Sequence, residues 1–513
     1  MNKYKFCFII CANKERFLEE CLWYIDQLSV PEGYECERMV IRDAKSMASG
    51  YNMAMTKSDA KYKIYLHQDT FILNQNMLPD LLDLFADHEI GMVGVVGACD
   101  FSAGADYTLN WDVGGAEVSV GINSHFLICE KGTDRTDVVC IDGVLMATQY
   151  DLPWDEETFD GWDFYDISQS VNFLQAGFRV VVPCVRIKED IWVYHDKGRS
   201  AYDAWERYRK IFCDKYRSLG YEYSDIGLLK MNEELNNQRN QIFKVFQAGD
   251  FDLTNELLNR LGEDDLDLRL CYVALFLSIR REEIMTIGRS SYSEARELDV
   301  FIEEFDELKF MCRRMYFGST AAVKDAAWQK VRERLDQDRI TMKMIWATVF
   351  VCVGEPNRLW GEVVGRYERE VCTLIQQGNI FGAEHLLLQL DKDKRGKLGN
   401  VLLILIGVLH RELEKQVSPT VFDVSLDPGE LAQHFIQMKL YLRRLEFGLP
   451  EQTWMEVYEY FKRTGVSDYM ILYLLQNNIF YKEECCRNLS VLFTKMEGAD
   501  SMRARLFAGL AEK

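Results

Sequence analysis

The sequence predicts an α/β domain followed by an all-α, helical-repeat-like domain. Three observations carry this. Over roughly the first 220 residues, short apolar runs of strand length alternate with stretches of helical spacing. Beyond about Gly220, Leu, Glu, Lys and Arg dominate with helical periodicity, and no proline stands between Cys184 and Glu355. The chain has 513 residues, too many for one compact core.

Lys5–Cys11 is a near-continuous apolar run, as in a strand covered on both faces. Glu15–Leu28 has helical spacing, with Phe17, Leu18, Cys21, Leu22 and Ile25 on one face, and Pro31-Glu32-Gly33 makes a turn. A second strand over Cys36–Ile41, a helix over Ser46–Thr56, a third strand over Lys63–Leu66, a helix over Asn76–Ala86 and a strand over Gly91–Gly97 follow. This alternation implies a largely parallel sheet. Gly, Asp and Asn then cluster from Gly97 to Gly121, which reads as loops over the sheet. Tyr165–Leu174 reads as a helix ended by Gly177, and Phe178–Val182 as a strand. In the helical half, Ile242–Leu258 resembles Leu374–Leu387, with a weaker echo at Leu474–Glu484. Each reads as helix, short turn, helix, like tetratricopeptide-type hairpins or a bundle with similar turns. The boundary is placed near residue 225, giving domains 1–225 and 226–513.

Lys plus Arg is 60 and Asp plus Glu is 81, a net charge of −21, which argues against nucleic acid or an anionic membrane as the main partner. The 15 cysteines include no CxxC pair, and their spacing suits neither a zinc cage nor a disulfide framework, so a reducing, cytoplasmic location is expected. The apolar run Phe6–Ala12 is too short for a signal peptide, and no apolar stretch reaches membrane-spanning length.

The candidate site rests on four segments. Cys11-Ala12-Asn13 ends the first strand, Ile41-Arg42-Asp43 the second (followed by Lys45 and Asn52), and His67-Gln68-Asp69 the third. In open α/β sheets ligands sit beyond the carboxyl ends of the strands, so these polar groups would converge on one crevice. Asn13 and Asp43 taken singly read as helix N-caps. A carboxylate where a buried strand stops is costly unless paired, and a divalent metal carrying a diphosphate is one natural partner. The fourth segment, Ile141–Pro183, is crowded with acids and aromatics, among them Asp142, Trp154, Asp155, Phe159, Asp160, Trp162, Asp163, Tyr165 and Asp166. Rings beside carboxylates suit carbohydrate, the rings covering an apolar sugar face and the acids binding hydroxyls. Asp163 and Asp166 also suit the dipole of a helix start. Val193–Ser200, VYHDKGRS, supplies His195, a candidate metal ligand.

With these strings in view, residues 4–200 resemble a family 2 glycosyltransferase of the GT-A fold, and RDAKSMASGYN and YLHQD are similar to strings of a bacterial subgroup of it. The resemblance implies a Rossmann-like domain binding a nucleotide-sugar. His67-Gln68-Asp69 takes the place of the family's DxD motif, with His67 in place of the first Asp. Asp166 stands eleven residues before Gly177, as the family's catalytic base does, with Tyr165 where Glu is usual. YHDKGRS resembles the HxxG-type loop, so His195 inherits a place near the metal.

On this resemblance the chain is expected to be a metal-dependent, inverting glycosyltransferase (hexosyltransferase class). Asp69 and His195 would hold Mn²⁺, or Mg²⁺, since imidazole favours transition metals. Asp166, with Asp163 beside it, would carry the proton chemistry. Asn13, Asp43, Lys45, Asn52, Gln68, Asp142 and Trp162 would hold the nucleotide and donor sugar. A UDP-sugar is the favoured donor. The acceptor is a glycan or a polypeptide, for which a helical-repeat surface is suited, and that domain serves homo-oligomerisation in the other reading. The competing expectation is a catalytically degenerate nucleotide-binding scaffold, motivated by His67.

Overall fold

The structure, a computed structural model, describes residues 1–100, 111–120, 122–130, 135–185, 187, 190–196, 202–219, 221, 223, 228–262, 265–336, 339–352, 355–416, 428–447, 451–464, 466–479 and 481–512. The chain opens on strand β1 (Asn2–Cys11), buried from Phe6 to Cys11. Its side chains alternate between two cores. Phe6, Phe8 and Ile10 enter one, and Cys7, Ile9 and Cys11 the other. Helix α1 (Glu15–Ile25) covers the first face with Phe17, Leu18, Cys21, Tyr24 and Ile25. Strand β2 (Glu35–Ile41) leads to helix α2 (Met47–Lys57), which covers the second face with Met47, Ala48, Tyr51, Ala54 and Met55. Ser46 caps α2 by accepting the Ser49 N–H, in a reciprocal capping box.

Strands β3 (Ala60–His67) and β4 (Thr70–Ile72), helix α3 (Met77–Phe85), and strands β5 (Ile90–Gly94) and β6 (Val96–Ala98) follow. Then come β7 (Val113–Val120), β8 (Asn123–Glu130), β9 (Arg135–Asp137), β10 (Cys140–Ile141) and β11 (Leu145–Thr148). Helix α4 (Tyr165–Gln175), strands β12 (Arg179–Pro183) and β13 (Val193–His195) and helix α5 (Tyr202–Lys215) complete the α/β part. The larger sheet has the order β2-β1-β3-β11-β5-β12-β9. It is mixed rather than largely parallel. β1 runs parallel to β2 and β3, and β12 to β5, but β11 lies antiparallel between β3 and β5, and β9 antiparallel on β12.

A second sheet, β10-β6-β7-β13-β4 with β8 on β7, was not visible in the sequence. Of the Gly97–Gly121 stretch read as loops, residues 101–110 and 121 lie outside the described residues, and Val113–Val120 is strand β7. Its glycines allow close packing rather than a loop. A Cβ on Gly114, whose φ is +86°, would stand 2.1 Å from the Val95 carbonyl oxygen.

Helices α6 (Leu228–Gln247), α7 (Phe251–Leu261), α8 (Leu268–Ile287), α9 (Leu298–Phe317), α10 (Ala321–Leu335) and α11 (Met342–Cys352) belong, with the sheets, to a compact unit spanning Met1–Pro356. Phe310 of α9 sits in the α1-side core, edge-on to Phe17 and Phe71. Asn357–Lys513 forms a second compact unit whose regular elements, among the described residues, are the helices α12 (Pro356–Gln376) through α19 (Met502–Ala511). The composition change near residue 225 falls at residues 224–227, outside the described residues. The similar segments share one corner: Gly249 and Gly378 adopt positive φ, and Asp250 and Asn379 then cap α7 and α13 (Ile380–Leu388). No helix among the described residues is long and apolar enough to cross a membrane. Cys7, Cys11, Cys21, Cys140, Cys312, Cys485 and Cys486 are buried thiols.

Candidate active site

Strands β1, β2 and β3 end level. Cys11 pairs with Ile41 on one side and His67 on the other, and the Ala12 N–H donates to the Ile41 carbonyl at 2.9 Å. The loops that follow therefore leave from one sheet edge. Gln68 ties two of them together. Its Oε1 accepts the N–H groups of Asn13 and Lys14 at 2.9 and 2.8 Å, and its Nε2 donates to Asn13 Oδ1 at 2.7 Å. Asp43 and Lys45, in the loop after β2, are exposed and make no hydrogen bond or ion pair with another described residue.

Three metal-type donors meet beside this edge. His67 Nδ1 lies 3.2 Å from His195 Nε2, which lies 3.5 Å from Asp69 Oδ1, and all three ligand atoms fall within 4.8 Å of one another. Two ligands each about 2.1 Å from one ion stand roughly 3–3.5 Å apart, so the donor set fits a divalent cation. Two imidazoles and one carboxylate favour a transition metal over Ca²⁺. Burial pushes the Asp69 carboxyl up, but the hydrogen bond from His195 and the two neighbouring imidazoles outweigh it and hold the group below its ordinary value. His195 arrives because β13 pairs antiparallel with β4, opposite Thr70, and the Asp196 N–H donates to the Asp69 carbonyl at 2.9 Å.

His67 is oriented by Tyr165, whose hydroxyl stands 2.5 Å from His67 Nε2. That contact leaves Nδ1 turned toward His195 and Asp69, as outer-shell partners of metal-bound histidine do. The two departures from the family pattern, His67 and Tyr165, are thus one hydrogen-bonded pair. Phe164, immediately before, has φ of 61°, the left-handed region that non-glycine residues rarely take. Its ring is buried against Trp205 and Phe212, which hold the turn.

Asp166 lies in the first turn of α4. Its Oδ2 accepts the Gly143 N–H at 2.7 Å, and Oδ1 accepts the Ile167 N–H at 2.9 Å. Burial, then the charge of Asp142, raise its pKa to about 7 against the opposing hydrogen bonds from Ile167 and Gly143. Asp142 Oδ1 accepts the Val144 N–H at 2.9 Å. A Cβ on Gly143 would stand 2.2 Å from the Tyr165 hydroxyl and 3.0 Å from Asp166 Oδ2, so glycine permits this approach.

The structure joins Asp69, His195 and, through Tyr165, Asp166 with Asp142 in one connected group. Asn52 stands apart from it. Its amide donates to the Trp154 carbonyl at 2.9 Å and accepts the Trp154 N–H at 2.8 Å, anchoring that loop. Of the aromatics in the acid-rich segment, Trp154, Phe159 and Tyr165 are core residues, whereas Trp162 is 51% exposed, three residues before the start of α4 and next to half-buried Asp163. Asp155 and Asp160 pair with Lys215 and Tyr208 of α5. Sequence reasoning missed His67 as a ligand, Tyr165 as its partner and Gly143. Reading the two departures as a compensating pair is the signal that would have found the first two. Lys197–Ser200 of the YHDKGRS string lie outside the described residues.

Residues 7–216 match a family model described as "Glycosyltransferase like family". Over those residues the α/β part of the chain carries a glycosyltransferase-like domain. No curated protein matches the chain. Among solved structures, the mannosyltransferase PcManGT from Pyrobaculum calidifontis, in complex with GDP-Man and Mn²⁺, is similar at 12% identity and a TM-score of 0.29, over 44% of this chain and 66% of that one. S. aureus TarS is similar at 10% identity and a TM-score of 0.28, over 55% of this chain and 53% of that one. S. aureus TarS 1-349 in complex with UDP-GlcNAc gives 11% identity and a TM-score of 0.25, over 67% and 89%. The glycosyltransferase match thus spans less than two thirds of the first two structures' length.

Proposed function

We propose that this chain is a metal-dependent, inverting glycosyltransferase that moves a hexosyl group from a nucleoside-diphosphate sugar, a UDP-sugar in first place, to a hydroxyl acceptor. The observation that carries the proposal is the linked group His195–Asp69–His67–Tyr165–Asp166 at the edge where three strands end. A divalent cation held by His67, Asp69 and His195 would neutralise charge on the departing diphosphate.

Asp166 is the base. Its raised pKa keeps it able to accept a proton near neutrality, and the Gly143 and Ile167 N–H groups hold its carboxylate in place. The acceptor oxygen forms the new bond to the anomeric carbon from the face opposite the leaving diphosphate. The bond to the diphosphate breaks, and the acceptor proton passes to Asp166. Asp142 and Asp163, with the exposed ring of Trp162, suit the sugar and acceptor hydroxyls. Asn13, Gln68, Asp43 and Lys45 suit the nucleotide, and Asn52 acts through the loop it anchors. The acceptor is a glycan or a polypeptide, with the helices beyond residue 225 as the surface for it, and the chain works in the cytoplasm.

Thermal unfolding with a panel of nucleoside diphosphates, each with and without Mn²⁺, tests this. A cation-dependent rise in Tm with one nucleotide, absent in Asp69→Ala, is expected by mass action. No shift with any nucleotide would place the scaffold reading first.

A further inference from the structure

Asp196 follows His195 and faces away from the cation ligands into a buried ionic cluster. Its carboxylate accepts from Ser119 Oγ at 3.0 Å, from Lys309 Nζ at 2.8 Å and from Arg313 Nη1 at 2.9 Å. Arg313 also donates to the Tyr194 hydroxyl and lies over the Tyr194 ring, its guanidinium carbon 3.8 Å from the ring centroid. Lys309 pairs further with Asp306, which accepts from Tyr272 at 2.7 Å and from Arg16 of α1. The side chains of Asp196, Lys309 and Arg313 are at most 5% exposed. Removing such charges from water is costly, and hydrophobic packing of similar volume would stabilise the fold as well or better. What the cluster does fix is position. Asp196 bridges two cation ligands, being next to His195 in sequence and bonded to Asp69 through its own N–H.

We propose that helix α9, which lies outside the matched residues 7–216, completes the active site: Lys309 and Arg313 are positioning residues that lock Asp196 and thereby set the spacing of His195 and Asp69. This rests on the reading of His67, Asp69 and His195 as a cation site. α9 also pairs with α1, where Arg314 meets buried Glu20. That second pair touches neither cation ligand and serves as an internal control.

The test is Mn²⁺ titration of the full chain, alone and with UDP, following loss of the free-ion EPR signal, with Tm measured on each sample. Arg313→Met leaves Asp196 paired with Lys309 and is expected to weaken Mn²⁺ binding by about 10–100-fold, the usual cost of losing an outer-shell partner. Arg313→Lys is expected to recover most of that affinity. Arg314→Met is expected to lower Tm, by stranding Glu20, while keeping Mn²⁺ affinity within about twofold. Unchanged affinity in Arg313→Met, or an equal loss in Arg314→Met, overturns the proposal. Should Arg313→Met not fold, Lys309→Met, which leaves Arg313 on Asp196, is read on the same scale. An unsubstituted chain that takes up no Mn²⁺ under either condition overturns the cation reading itself, before any variant is compared.

Discussion

Asp166 carries two opposite demands. The catalytic one needs its carboxylate ionised, and the structural one resists that, because burial and Asp142 oppose the charge. A carboxyl with a raised folded-state pKa gives the folded chain its greatest advantage below the ordinary carboxylate range, and that advantage falls as pH rises toward about 7. Asp166→Asn is therefore expected to raise Tm at pH 8 but not at pH 4, by an amount worth at most about 4 kcal/mol. The same variant is expected to lower kcat by about 10²–10⁴-fold, the usual worth of a general base, while nucleotide binding holds. In the unsubstituted chain kcat/KM is expected to rise with pH through the neighbourhood of 7. Equal loss of binding and turnover in Asp166→Asn, with a lowered Tm, would mark the residue as structural.

At the level of elements, the site depends on two short pieces meeting: the Asp142-Gly143-Val144 turn before β11 and the start of α4. Gly143→Ala places a methyl group against the Tyr165 hydroxyl and is expected to cost roughly 1–3 kcal/mol and to break the Tyr165–His67 contact. Comparing Gly143→Ala with Gly143→Ala/Tyr165→Phe by thermal unfolding checks this. If removing the hydroxyl recovers no stability, the steric account is wrong. The first strands and helices were legible in the sequence because both faces of β1 are buried and each flanking helix shows one apolar face. The second sheet was not, since β7 carries consecutive glycines whose role is close approach to Val95, a tertiary fact with no local signature. The cation site was half legible. Asp69 and His195 stood in recognisable strings, but His67 resembled a loss of function until Tyr165 was seen on its other nitrogen.

On the scale of the whole chain, the contrast lies between composition and contact. Helical periodicity begins near residue 225, yet Met1–Pro356 is one compact unit. Its helix α9 contributes Phe310 to the sheet's core and pairs with Glu20 and Asp196. A chain ending at residue 225 strands both carboxylates and uncovers Phe17 and Phe71, so it is expected to aggregate. One ending at residue 356 is expected to unfold cooperatively. Solubility and thermal melts of the two truncations decide the matter, and a shorter chain that melts cooperatively at the same temperature would refute this division. Periodicity could not reveal the pairing, because the partners of Asp196 lie 113 and 117 positions along the chain.

The buried thiols have a consequence for where such a chain can live. Burial raises the pKa of Cys7 to about 11 and that of Cys11 to about 12, so neither is a thiolate at neutral pH, and both are buried. Cys485 and Cys486, adjacent on α18 (Lys482–Glu497), are buried as well. At these four positions cysteine behaves as a small hydrophobe, whereas Cys36, Cys99 and Cys184 are half-buried. A thiol at those four positions therefore records how the interior is packed, and the half-buried Cys36, Cys99 and Cys184 are the ones an oxidising compartment would reach first.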